Sequence, residues 1–120
     1  MFHPDVLERI NHELSQAEKA RSNKLEGRAR VSARRAVGIA LREFMKLRNI
    51  KLKNSNSYDL ICMLRDSPYA DPTLRKIASH LTIQVCEDFN LPIKVDLIAE
   101  ARILIEALDD PQMILFNITE

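Results

Sequence analysis

At 120 residues, with a formal net charge of +1 and just under half of its residues hydrophobic, the chain is sized for one domain with a single core, and it is too apolar for a disordered segment. Two glycines in the whole chain exclude the glycine-rich phosphate loops of P-loop and dinucleotide-binding folds. Two widely separated cysteines, Cys62 and Cys86, exclude a disulfide framework and read as half-buried thiols in a reducing compartment.

In chain order, the first helix is expected from Pro4, a favoured first-turn residue, to about Arg21, with Leu7, Ile10, Leu14 and Ala17 at helical spacing. "SNKLEG" connects it to a second and longest helix, from about Gly27 to Arg48, which the Lys/Asn/Ser stretch "KLKNSNS" ends. A short third helix follows from Ser57 or Tyr58 to about Asp66. Asp71 then caps a fourth with Pro72 at its first position, and its inner stripe is Leu74, Ile77, Ala78, Leu81 and Val85 until "CEDFNLP" interrupts it. The fifth takes about Val95 to Leu108, with a broad apolar face of Leu97, Ile98, Ala101, Leu104, Ile105 and Leu108. No segment alternates like a strand and no repeat is present. The pattern predicts an all-α, up-and-down bundle of four or five helices over residues 4–108, with an apolar tail over 111–120.

The second helix holds five arginines between residues 27 and 44. At about 100° per residue, Ala29, Ala33, Ala36, Val37, Ala40, Leu41, Phe44 and Leu47 share one arc, the expected core face. Arg28, Arg35 and Arg42 recur every seven residues and, with Lys46, form a basic ridge away from that arc, a candidate anion- or nucleic-acid-binding surface because guanidinium suits bidentate phosphate contacts. An ordinary solvated or ion-paired face is the competing reading, and the ridge lacks the interleaved aromatics usual in single-strand binders. Beside the ridge runs a second series, Val31, Gly38 and Met45, which a solvated helix back would not need. Gly38 costs about 1 kcal/mol against alanine in a helix interior, so a second backbone is expected to pack there, within the chain or across a homodimer.

Charge is unevenly divided. Residues 1–60 carry 13 Lys or Arg against 7 Asp or Glu, and residues 61–120 carry 5 against 10, so the halves differ as +6 and −5. A basic surface for an anionic partner would produce this split; so would two complementary halves that face each other on folding or dimerising, which the near-zero total favours. The tail "QMILFNITE" is too apolar to stay in water and is expected to dock through residues such as Leu115 and Phe116, on its own bundle or on a partner subunit. No run approaches the ~20 apolar residues of a membrane span and no leader pattern opens the chain, so a cytoplasmic protein without membrane attachment is expected. No cofactor or metal site is expected either: His3, His12 and His80 are scattered, and no E-x-x-H pair is present.

A long helix with a small-residue core face, "SYDL" opening the third helix, and the corner "DFNLP" leading to "DLIAEARILIEAL" together resemble the HEPN family of small bacterial and archaeal helical bundles, over roughly residues 5–108. The resemblance implies a homodimeric module that binds a nucleotide, a nucleic acid such as RNA, or a small nucleotidyltransferase partner. It also offers a metal-independent ribonuclease with an Arg-x(4–6)-His pair. Here that spacing occurs as Arg75 and His80 in "RKIASH", earlier than in the family's ribonucleases, where the motif sits near the last long helix. Five residues along a helix separate the two by about 140°, so they would not share a face. Surface residues are the better reading of this pair, and a binding module is the better reading of the chain.

Overall fold

The computed structural model describes residues 2–51, 56–68, 70–83 and 95–111, and they form five helices: α1 (Pro4–Ser22), α2 (Glu26–Leu47), α3 (Ser57–Asp66), α4 (Pro72–Leu81) and α5 (Leu97–Asp109). The expected all-helical bundle is observed. One apolar cluster draws on every helix, from Ile10 and Leu14 through Leu41 and Phe44, Leu60 and Leu64, and Leu74 and Leu81 to Leu97 and Leu104. Among the described residues no helix is long and apolar enough to cross a membrane.

Local chemistry sets the helix ends. Pro4 opens α1, where a missing N–H costs nothing, and the His3 ring accepts from the Asp5 N–H at 3.1 Å. Asn56 caps α3 by accepting from the Asp59 N–H at 2.8 Å, and Asp71 caps α4 by accepting from Thr73 and Leu74 at 2.9 and 3.2 Å. Both α1 and α2 end in a doubly bonded left-handed cap. After α1, Lys24 takes φ 62°, its N–H donates to Arg21 O and the Leu25 N–H donates to Ala20 O; after α2, Asn49 takes φ 58°, its N–H donates to Lys46 O and the Ile50 N–H donates to Met45 O.

Three boundaries or burial expectations differ from the sequence reading. The fourth helix stops at Leu81, four residues before the expected end of its stripe, because Thr82 turns its hydroxyl back onto the carbonyls of Ala78 and Ser79. The fifth begins at Leu97, with Asp96 outside it as the cap that accepts from the Ala99 N–H at 3.1 Å. Leu47, expected in the core, is 46% exposed: it is the last residue of α2, beyond the buried Phe44 and Met45.

The central element is α2, which packs against α1, α3 and α5. The first and fifth helices are antiparallel: the Phe2 N–H donates to Asp109 Oδ1 at 2.6 Å at one end, and Arg21 Nη1 donates to Asp96 Oδ1 at 2.7 Å at the other. The α2 and α5 C-termini share an end of the bundle, where Arg48, stacked over the Phe44 ring at 3.9 Å, reaches the carbonyl of Pro111. Val85, Cys86, the "DFNLP" corner and the tail with Leu115 and Phe116 lie outside the described residues.

Candidate anion-binding groove

The seven-residue spacing of Arg28 and Arg35 puts them two turns apart, about 10.5 Å along one line of α2. Both are exposed, and together they line one side of an open groove of about 580 Å³ between α1 and α2. His12, Glu13 and Gln16 of α1 form the other side, with Val31 and Ser32 between the two arginines. A smaller hollow of about 210 Å³ continues past Gln16, Arg28 and Ser32 toward Lys19 and Asn23. Gly27 opens this groove: a β-carbon built there would meet nothing within 4 Å. Backbone as well as side chain is therefore open to a ligand.

These two arginines combine an unengaged charge with a shared groove wall. Three surface arginines are engaged: Arg21 with Glu26 and Asp96, Arg65 with Asp66, and Arg102 with Glu18. Among the described residues no hydrogen bond or ion pair engages the side chains of Arg28, Arg35 or Lys46. Glu13 is the single carboxylate on the groove wall, against two guanidinium groups. Two exposed guanidiniums beside a serine hydroxyl and a glutamine amide can hold a phosphate-bearing group through charge-assisted hydrogen bonds; among the described residues no hydrogen bond joins Ser32 to His12 or Glu13.

The rest of the expected ridge parts from this groove. Arg42, which is half-buried, and Lys46, which is exposed, line a separate hollow of about 390 Å³ with Asn49, Ile50 and Lys51 at the end of α2. Of the second series, Val31 is 40% exposed, but Gly38 is covered and Met45 is fully buried in its own chain. The backbone that packs on Gly38 belongs to α3: a β-carbon there would lie 3.0 Å from Ser57 Cα, 2.5 Å from its Cβ and closer still to its hydroxyl. Gly38 and Met45 are thus intramolecular packing positions, leaving Val31 as the exposed member of that series.

Two arginines not expected in the interior complete the picture of α2. Arg30 is 7% exposed, and Arg34, half-buried, donates from Nε to the Leu81 carbonyl at 2.6 Å, closing the C-terminus of α4. Burial and then the neighbouring Arg30 charge depress the Arg34 pKa, while the carbonyl end of α4 attracts its cation. The helical wheel carried the signal, since Arg30 and Arg34 fall beside Val37 and Leu41 and away from Arg28.

Arg75 and His80 reach different neighbours. Arg75 donates from Nε to the Arg65 carbonyl at 3.3 Å, tying α4 to the end of α3, and the His80 ring nitrogen Nδ1 is held by both carboxylate oxygens of Glu100 on α5, one of them at 2.9 Å. Each has a packing task between helices, and no observation favours pairing them for RNA cleavage. Among the described residues no three His, Cys, Asp or Glu side chains gather as a metal site. No family model, curated protein or solved structure matches the chain.

Proposed function

We propose that the chain is a non-catalytic, HEPN-like binding module that takes a phosphate-bearing ligand, a nucleotide or a nucleic-acid strand, in the groove between α1 and α2. The observation that carries this reading is the pair of exposed and unengaged guanidiniums, Arg28 and Arg35, on one wall of a hollow large enough for such a ligand. A cytoplasmic setting, a second copy of the chain and a small nucleotidyltransferase as partners belong to the same proposal.

The test is binding of a labelled RNA oligonucleotide and of a labelled nucleoside triphosphate at low salt, followed by fluorescence polarisation. Changing Arg28 and Arg35 together to glutamine is expected to weaken binding about tenfold or more and to lower the slope of log affinity against log salt by roughly one for each lost phosphate contact. A wild-type protein that binds neither probe at low salt, or a double variant that binds as tightly as wild type, refutes it.

A further inference from the structure

The outward side of α2 carries one continuous strip. At about 100° per residue, Arg28, Val31, Arg35, Arg42 and Lys46 fall within about 60° of the helix circumference, opposite the core arc. Three hollows follow one another along it: Leu25 and Lys19 line the first with Arg28, Val31 lies in the second between Arg28 and Arg35, and Ile50 and Lys51 line the third with Arg42 and Lys46. Leu25, Val31 and Ile50 are 44%, 40% and 42% exposed. The turn that carries Ile50 is fixed, because its N–H donates to Met45 O behind the left-handed Asn49. Six Lys or Arg side chains line the three hollows against one carboxylate, Glu13. The carboxylates of α2 itself stand elsewhere: Arg21 Nε donates to Glu26 at 3.0 Å, and Glu43 lies about 60° beyond the edge of the strip.

We infer that this strip is a peripheral docking surface for an anionic lipid bilayer, on which α2 lies along the interface with its cations among the headgroups and Leu25, Val31 and Ile50 turned into the acyl boundary. What interleaves the cations decides the partner. No Phe, Tyr or Trp lines the three hollows, so the strip offers bases no aromatic platform. Exposed aliphatic side chains among lysines and arginines instead suit an interface of acidic headgroups over hydrocarbon. Length agrees, since the 22 residues of α2 run about 33 Å, and a plane can meet the strip along all of it. The expectation of no membrane attachment rested on the want of a span and a leader; surface contact needs neither. The inference goes beyond the anion groove. Arg28 and Arg35 belong to both surfaces, whereas Leu25, Lys46, Ile50 and Lys51 lie outside the groove and belong to the strip.

Flotation of the full chain with vesicles of phosphatidylglycerol and phosphatidylcholine, beside vesicles of phosphatidylcholine alone, tests the inference. Wild type is expected to float with the anionic vesicles only, and added salt is expected to release it. The variant Lys46→Gln/Lys51→Gln is expected to bind the anionic vesicles about tenfold or more weakly. Leu25→Ser/Ile50→Ser is expected to weaken vesicle binding to a similar degree while its affinity for the labelled RNA oligonucleotide stays unchanged, because only the bilayer takes up its aliphatic side chains. All four positions are exposed, and melting curves confirm that both variants remain folded. A wild type that binds no vesicle, or binds neutral and anionic vesicles alike, overturns the inference. So do variants of either kind that float like wild type, and an aliphatic variant that loses RNA and vesicles equally. Vesicle binding without RNA binding supports the strip and refutes the groove; RNA binding without vesicle binding does the reverse.

Discussion

Both glycines of the chain lie in α2, eleven residues apart, and their surroundings are opposite. A side chain at Gly27 would project into the open groove, and one at Gly38 would project into Ser57 of α3. Local propensity treats the two sites alike, with glycine inferior to alanine in a helix by up to about 1 kcal/mol. Tertiary contact reverses the sign at one of them. The same division runs through the arginines, with Arg28 and Arg35 open to solvent and Arg30 and Arg34 committed to the interior.

The comparison breaks first at Gly38. Gly38→Ala is expected to destabilise by about 1 to 3 kcal/mol despite its better helix propensity, and Gly38→Leu by more, because part of the obstruction is the Ser57 backbone. Combining Gly38→Ala with Ser57→Gly should recover part of the loss in chemical denaturation, and strict additivity of the two would show that they do not touch. The next effect belongs to Arg34. Arg34→Met keeps the apolar stem and removes the bond to Leu81 O, at an expected cost of about 1 to 2 kcal/mol, whereas Arg35→Met, one residue along and exposed, should leave the melting temperature unchanged.

Smaller still is the cap of α5. Asp96→Ala is expected to cost about 1 kcal/mol near neutral pH. The Arg21 guanidinium, followed by the Ala99 N–H, holds the Asp96 carboxyl below its ordinary range, so its contribution is complete above the unfolded-state pKa of about 4 and fades as pH falls through the folded-state value. The gap between wild type and Asp96→Ala should therefore narrow in acid. A gap that widens there would contradict the assignment. The smallest effect closes the comparison: Gly27→Ala should stabilise by about 0.5 kcal/mol, because it gains propensity in open space near the helix start.

The helix inventory was legible because its signals are local. Pro4, Asp71 and Pro72 mark starts by their own backbone chemistry, and the apolar spacing of Leu74, Ile77, Ala78 and Leu81 identifies an inner face without knowledge of what it meets. What could not be read was what each outer face meets. Gly38 announced a close approach, but nothing near it in sequence names Ser57 as the neighbour. Leu47 fits the core arc by angle and is nevertheless exposed, since a wheel has no record of where the surrounding helices stop. Lys24 gave no sign of a left-handed cap, a position where glycine or asparagine is the usual occupant. In the groove, the sequence placed Arg28 and Arg35 in one line. It could not separate them from Arg42 and Lys46, which a straight helix carries on the same ridge and the fold assigns to a different hollow.

The bond between the Phe2 N–H and Asp109 spans 107 residues of chain, and its consequence concerns the order of assembly. Joining those ends directly closes a loop about five doublings longer than the three-residue turn between α1 and α2, at about 3 kcal/mol more chain entropy. The α1–α2 hairpin therefore pairs early and α5 arrives late. During synthesis, Leu7, Ile10 and Leu14, which line a hollow with Ile105 of α5 in the finished bundle, wait uncovered on the hairpin until the final helix emerges. Until α5 is made that stripe has no cover from it, so shielding the stripe is a demand the nascent chain places on the folding machinery.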